Sequence, residues 1–193
     1  MQQIILEKSK RSLCIWPAIC LLMLCASHIT AQPYNFTTYS LADGLPQSQV
    51  FALCQDTRGY LWAGTQGGGL SRFDGLKFET FTTADGLSSN YIHALVADGR
   101  GGIWIGTDQG LCRYDGARFK PVRLGATGAG VYALALVEEN NVWIGTNRGV
   151  FSCGLEEAVA KPVSLPGNGP APVVTAFFPS EDGVWVGSDR APG

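Results

Sequence analysis

Short apolar runs separated by glycine-containing turns fill the chain from residue 46 onwards. Within residues 46–84 these runs are four to seven residues long and rich in Val, Ile, Leu and aromatic residues. Runs of this length and composition are typical of β-strands and not of helices. We predict strands at Val50–Asp56, Tyr60–Thr65, Gly69–Phe73 and Lys77–Thr82. The connecting turns are too short for a crossover, so the strands must be antiparallel.

A four-residue motif, Trp, a small or branched apolar residue, Gly, then Thr or Ser, recurs at intervals of 42, 39 and 42 residues. Its tryptophans and glycines are Trp62, Gly64, Trp104, Gly106, Trp143, Gly145, Trp185 and Gly187. A fixed period of this length indicates copies of one supersecondary unit that stack on their neighbours to bury their apolar faces. Four antiparallel strands in each period of about 40 residues describe the blade of a β-propeller. We predict that each Trp wedges between blades and that each Gly allows close backbone approach, a ligand-stacking role for Trp being the alternative.

The repeats set the domain organisation, an all-β propeller with about three and a half blades. They lie near 46–84, 88–121, 128–165 and 171–193. Residues 34–42 match the end of the first repeat and predict the outermost strand of a blade that would close a ring. The inner strands of that blade are not all present, so we interpret residues 32–193 as an incomplete ring from a longer propeller. A closed four-bladed ring is the alternative.

Residues 1–31 have the pattern of a signal peptide. Lys8, Lys10 and Arg11 precede an apolar stretch at Leu13–Leu24, and Ala31 provides a cleavage point. The apolar stretch is short for a transmembrane helix, although anchoring without cleavage remains the alternative. This pattern predicts an exported protein.

Charge and cysteine content exclude several kinds of partner. The chain has 14 Lys and Arg against 16 Asp and Glu, and without residues 1–31 the balance is 11 against 15. A net negative charge with no basic cluster argues against binding to nucleic acid and to anionic membranes. Cys54, Cys112 and Cys153 remain after the leader. Their odd number and dissimilar positions predict free thiols and no metal site, and no cofactor is expected.

The loops at one end of the blades are the candidate ligand-binding region. In a propeller, the loops between second and third strands and those between blades share one face, where the strands position them for function. Amide, hydroxyl and aromatic groups there suit a hydroxyl-rich ligand. The candidates are Gln66, Asn90, Tyr91, Asp108, Gln109, Asn147 and Arg148, with solvated turns as the alternative interpretation. His93 and Asp108 are the only acid–base candidates, and no catalytic constellation is predicted.

Two longer segments carry a family resemblance. Residues 56–75 and 98–116 both contain Asp-x-x-Gly, then Leu or Ile before Trp-x-Gly-Thr, and end in Gly-Leu-x-Arg-aromatic-Asp-Gly. This pattern resembles the two-component regulator propeller repeat, as do the Asp-Gly-Leu linkers at Asp43 and Asp85. The resemblance implies the periplasmic sensor region of a membrane-bound hybrid histidine kinase of the kind found in Bacteroidetes, many of which sense oligosaccharides. It also implies transmembrane and kinase domains downstream.

We therefore expect a non-enzymatic sensor module of a two-component system, in the periplasm, that binds a glycan fragment. A homodimer of the full-length protein is compatible with this expectation. The alternatives are a propeller enzyme of the polysaccharide lyase or glycosidase type and a protein-binding scaffold. An enzyme would need paired carboxylates, or a His with an acid, at the channel mouth.

Overall fold

The computed structural model describes residues 35–125, 128–138, 140–165, 171–181 and 183–189. The chain divides into two compact units, residues 1–38 and 39–193. The signal peptide predicted at residues 1–31 lies outside the described residues. In the first unit, residues 35–38 have no regular secondary structure. All the strands described below belong to the second unit.

The second unit contains three four-stranded sheets and one two-stranded sheet among its described residues. The first blade comprises β1 (Val50–Gln55), β2 (Leu61–Thr65), β3 (Leu70–Phe73) and β4 (Phe78–Phe81). The second comprises β5 (Ile92–Ala97), β6 (Ile103–Thr107), β7 (Gly110–Tyr114) and β8 (Phe119–Val122). The third comprises β9 (Val131–Val137), β10 (Asn141–Thr146), β11 (Gly149–Gly154) and β12 (Lys161–Val163), and β13 (Val174–Ser180) and β14 (Gly183–Ser188) form the last sheet.

Each sheet is an antiparallel meander in chain order, and the first strands of successive sheets lie side by side. Strand β1 contacts β5, β5 contacts β9, and β9 contacts β13. This arrangement confirms the predicted all-β propeller blades. The sheets do not join into a closed ring within the described part of the chain.

The linkers that enter the first two blades share one local structure. Leu41–Asp43 and Thr83–Asp85 each form a 3₁₀ turn, capped by the side chains of Ser40 and Thr82 and ended by a glycine at positive φ. In both, the Asp at the third position accepts the amide of the capping residue. Residues 35–40 have no regular secondary structure, and the described residues therefore do not show the outermost strand predicted at 34–42.

The hydrophobic core lies in the seams between blades. Trp62 on β2 is fully buried in a cluster with Leu70 of its own blade and Ile92, Ile103 and Ile105 of the second. Burial of an aromatic side chain of this size is a dominant source of packing energy. The indole is therefore a wedge between blades, as the repeat predicts.

The repeated Trp becomes more exposed to solvent from the second blade to the last sheet. Trp104 is fully buried in a cluster that includes Val131, Val142 and Ile144 of the third blade. Trp143 is half-buried and meets Phe177 edge-on at 6.0 Å between ring centroids. Trp185, on the last described sheet, is 71% exposed. Burial of the repeated Trp thus depends on the blade that follows it.

The repeated glycines let the next blade approach the second strand. A Cβ on Gly64 would lie 2.4 Å from Cγ2 of Ile92, which begins the innermost strand of the next blade. The corresponding distances are 2.6 Å from Gly106 to Val131 Cγ1 and 2.7 Å from Gly145 to Val174 Cγ1. No real Cβ tolerates such contacts without a shift of the neighbour, so close approach explains these glycines.

The three cysteines of the blades are free thiols, as predicted. Cys112 and Cys153 are buried and Cys54 is half-buried. Burial raises the pKa of Cys54 to about 12 and that of Cys153 to about 11, so both are protonated at neutral pH. Among the described residues there is no cluster of three or more side chains suited to hold a metal ion. That part of the chain also contains no helix long and apolar enough to cross a membrane.

Candidate functional site

Two kinds of loop meet at one end of the sheets, and we call this end the loop face. It comprises the hairpins β2–β3, β6–β7 and β10–β11 and the described linker residues 88–91 and 128–130. In each sheet the residue that follows the second strand is tied to the residue before the first strand by an amide–carbonyl bond. These bonds are Gln66 N to Gln49 O (3.0 Å), Asp108 N to Tyr91 O (3.3 Å), Asn147 N to Gly130 O (3.3 Å) and Asp189 N to Val173 O (3.1 Å).

The first two blades are joined on the loop face through Asn90 and Tyr91. The amides of Gly67 and Gly69 both donate to the Asn90 carbonyl, each at 3.1 Å, and Gln66 pairs with Tyr91 in an isolated antiparallel bridge. Tyr91 is 49% exposed, and its ring covers Gly67. The structure therefore brings Gln66, Asn90, Tyr91 and Asp108 into one hydrogen-bonded surface.

The Asn90 side chain is already used within the fold. Its Oδ1 accepts the backbone amide of Thr83 at 2.9 Å, which fixes the 3₁₀ turn that begins at that residue. Of the candidate residues, it is the one whose side chain carries an evident structural task.

Gln109, Asn147 and Arg148 project from the hairpins of the second and third blades. All three are exposed, and their backbones are held by the preceding threonines, since Thr107 Oγ1 accepts Gln109 N and Thr146 Oγ1 accepts Arg148 N. Gln109 Nε2 also donates to Asp108 Oδ2 at 3.3 Å. The side chains of Asn147 and Arg148 are exposed and the hairpin backbone does not depend on them, so they can contact a ligand.

Asp108 carries an unsatisfied atom. Its Oδ1 is shielded from solvent and has no hydrogen-bond partner within the described part of the chain. A buried oxygen without a partner is costly, and in a native structure it calls for an explanation such as a ligand or an ordered water.

Sequence reasoning left one feature of this region unrecognised. Phe51, His93 and Tyr132 occupy the second position of β1, β5 and β9, where the pairing register of each strand shifts by one residue. Their rings are neighbours, with centroids 5.9 Å apart for Phe51 and His93 and 4.9 Å apart for His93 and Tyr132. Aligning the repeats would have revealed a ring at the same position in three blades.

The repeated aspartates at the opposite end of the blades are structural. Asp74 Oδ1 accepts the amides of Leu76 and Lys77, each at 2.8 Å, and Asp115 holds the matching turn of the second blade. The ammonium of Lys120 and the turn amides lower the pKa of the Asp115 carboxyl. A shallow groove of about 460 Å³ lies at this end and is lined by Tyr60, Arg72, Asp74, Lys77, Phe78 and Glu79.

Comparison with known families identifies the repeat. The two component regulator propeller family matches residues 44–67 and 86–109, which contain the first two Trp motifs and their linkers. The chain carries two-component regulator propeller repeats. A search of curated proteins found no match.

Solved structures with the same fold include extracellular domains of putative two-component and one-component systems. The extracellular domain of the putative hybrid two component system BT3049 from B. thetaiotaomicron is 21% identical, with a TM-score of 0.64 over 79% of this chain and 22% of that one. The extracellular domain of the putative one component system BT4673 from the same organism is 22% identical, with a TM-score of 0.63 over 79% of this chain and 24% of that one. The chain thus spans about a quarter of the length of these ectodomains.

An enzyme also has this fold. Virginiamycin B lyase from Staphylococcus aureus is 12% identical, with a TM-score of 0.61 over 74% of this chain and 50% of the lyase. At these identities the structural similarities establish a shared propeller fold and not a shared function.

Proposed function

We propose that this chain belongs to the extracytoplasmic, periplasmic part of a two-component signalling protein and binds an oligosaccharide on the loop face. Transmembrane and kinase segments of the same protein would transmit the signal, and the full-length protein could act as a dimer. The observation that carries the proposal is the pair of two-component regulator propeller repeats at residues 44–67 and 86–109. The extracellular domains of putative two-component and one-component systems with the same fold support it.

The chemistry of the loop face suits such a ligand. Exposed amide and guanidinium groups of Gln109, Asn147 and Arg148 stand on hairpins whose backbone bonds are already satisfied. Sugar hydroxyl groups both donate and accept hydrogen bonds, so they match a surface that mixes amides, a carboxylate and carbonyl groups. A rigid set of strands that positions such loops costs little ordering entropy on binding.

The direct test is calorimetric titration of the purified chain with a panel of short xylo-, arabino-, galacto-, malto- and chito-oligosaccharides. We expect saturable binding of at least one of them. Replacing Arg148 on the β10–β11 hairpin with Ala should weaken that binding. Arg118→Ala is the matched control, because Arg118 is equally exposed but lies in the β7–β8 turn at the other end of the blade.

Two results would count against the proposal. One is the absence of saturable binding across the panel by a chain whose circular dichroism and fluorescence report a folded β protein. The other is the release of new reducing ends or unsaturated products from a polysaccharide, which would favour the enzymatic alternative. In that case His93 and Asp108 would be the first acid–base residues to replace.

A further inference from the structure

Three rings on neighbouring innermost strands form a continuous row, which we call the ring row: Phe51, His93 and Tyr132. The planes of Phe51 and His93 are 16° apart, and those of His93 and Tyr132 are 37° apart. At centroid separations of 5.9 and 4.9 Å the rings are offset from one another, and part of each face stays uncovered.

A β-bulge presents each of these rings. On β1, Val50 pairs with Thr65 and Ala52 with Gly64, so Phe51 is left outside the ladder, and His93 and Tyr132 stand in the same position on β5 and β9. Bulges re-aim a side chain and are frequent beside functional sites. In the last described sheet the equivalent residue is Thr175, so the row ends at Tyr132 within the described residues.

The three rings of the ring row are only partly buried. Phe51 is 50% exposed and the other two rings are half-buried, whereas Trp62 and Trp104 in the neighbouring seams are fully buried. Part of each ring is therefore accessible within the described part of the chain. An accessible set of aromatic faces is the kind of surface on which ligands stack.

Polar groups border the row at Tyr132. The Tyr132 hydroxyl makes no hydrogen bond to any described residue, and it lies against Gly130, where a Cβ would be 2.9 Å from Oη. The same Cβ would be 3.3 Å from the carbonyl oxygen of Asp108, whose Oδ1 is the unpaired buried atom of the loop face. The Tyr132 hydroxyl and the backbone carbonyl of Asp108 are thus both close to Gly130.

We propose that the ring row is a stacking platform for a sugar ring, with the Tyr132 hydroxyl bonding to its hydroxyl groups. A pyranose has an apolar C–H face that packs on the negative face of an aromatic ring, and hydroxyl groups at its rim that need donors and acceptors. This inference rests on the proposed function and assigns it a subsite.

The test uses the neutral oligosaccharide that binds most tightly in the panel. Phe51→Ala and Tyr132→Ala should each weaken its binding about tenfold, as expected for the loss of a central aromatic contact. Phe51→Tyr should keep the affinity, and Tyr132→Phe should lower it by the loss of the hydroxyl alone. Phe178→Ala is the matched control, since Phe178 is a similarly exposed aromatic residue on β13 outside the row.

A second measurement reports the contact directly. The chain has two histidines, and a His93→Gln variant assigns the His93 ring signal in the proton NMR spectrum. We expect that signal to shift on titration with the neutral oligosaccharide. Urea denaturation of each variant separates a loss of stacking from a loss of folding, because a merely structural row would move the unfolding midpoint and leave the affinity of folded protein intact.

The outcomes distinguish the two proposals. If no oligosaccharide binds, the proposed function fails. If an oligosaccharide binds but Phe51→Ala, Tyr132→Ala and Phe178→Ala behave alike and the His93 signal does not move, the loop face binds the ligand elsewhere and the ring row inference is overturned.

Discussion

The indole Nε1 of Trp62 donates a 3.0 Å hydrogen bond to Oδ2 of Asp56, and both residues are buried. Asp56 Oδ1 also accepts the amides of Arg58 and Tyr60, so one carboxylate fixes the β1–β2 turn and the interblade wedge together. In the second blade the equivalent Asp98 accepts Nε and Nη2 of Arg113 instead, at 3.2 and 2.6 Å, and the Nε1 of Trp104 has no partner among the described residues.

Replacing Asp56 with Ala should destabilise the chain by about 2 to 3 kcal/mol, because it leaves the buried indole N–H and two turn amides without an acceptor. Asp56→Asn keeps one amide oxygen as an acceptor and should cost less. Urea denaturation followed by tryptophan fluorescence measures both. Equal stabilities for the Ala variant and the unmodified protein would refute a structural role for this hydrogen bond.

Trp62→Phe and Trp104→Phe form a matched pair. Both remove a similar apolar surface from a seam, but Trp62→Phe also removes a charge-assisted hydrogen bond of about 1.5 to 3 kcal/mol. Trp104→Phe removes an N–H that is buried and has no partner among the described residues. It should therefore lower the free energy of unfolding less than Trp62→Phe does. Urea denaturation of the two variants gives their free energies of unfolding. A larger loss for Trp104→Phe than for Trp62→Phe would contradict the hydrogen bond assigned to Trp62.

Gly64→Ala should destabilise the seam by about 1 to 3 kcal/mol, since its new Cβ would overlap Ile92 and force the next blade outward. Gly187→Ala is the control. The three nearest described atoms to a Cβ at that position all belong to Ala176 of its own sheet, and the closest is 3.2 Å away. Thermal unfolding of the two variants should show a lower midpoint for Gly64→Ala only.

The Asp98–Arg113 ion pair should make stability depend on acid pH. Burial of Asp98 opposes its charged form, but the guanidinium of Arg113 and the amides of Arg100 and Gly102 outweigh it and hold the pKa of Asp98 below 3.8. A carboxyl with a lowered pKa stabilises the fold above its unfolded pKa, and this stabilisation is lost as the pH falls through the lower folded value.

Asp98→Asn tests this dependence. The variant should be less stable at pH 7 by about 3 kcal/mol, because Arg113 loses a buried partner. Its urea midpoint should also fall less steeply than that of the unmodified chain as the pH drops below about 4. Parallel curves for the two proteins would assign the acid sensitivity to other carboxyl groups.

The sequence was sufficient to predict the blades because their signals are local. The strand predicted at Tyr60–Thr65 is observed at Leu61–Thr65, and the one predicted at Lys77–Thr82 is observed at Phe78–Phe81. The role of Gly64 could also be predicted, since a repeated glycine two residues after a wedge implies close approach. These features depend on short apolar runs and on turn residues, which are close together in the sequence.

The candidate site was predictable only in part. Repeat alignment placed Gln66 and Tyr91 on the same face, and the structure pairs them. It could not predict that the Asn90 side chain caps the turn at Thr83, or that Phe51, His93 and Tyr132 meet. The ring contacts join residues about 40 positions apart across blade boundaries, and they depend on how far each bulge rotates a side chain.

By itself, the sequence of this protein determined the repeat, the antiparallel order of its strands and the wedge at each seam. Only the tertiary structure decided which partner each repeated residue takes. Asp56 and Asp98 are equivalent in the repeat, but Tyr60 occupies the place of Gly102. A Cβ at Gly102 would lie 2.2 Å from Asp98 Oδ2 and 3.0 Å from Arg113 Nε, so only the glycine lets that arginine reach its aspartate. In the first blade Arg72 instead stacks 4.8 Å over the Tyr60 ring and pairs with Glu79, which leaves Asp56 to Trp62. The physical reason is steric. The residue at the position of Tyr60 and Gly102 determines whether the arginine of the third strand can reach the aspartate of the turn.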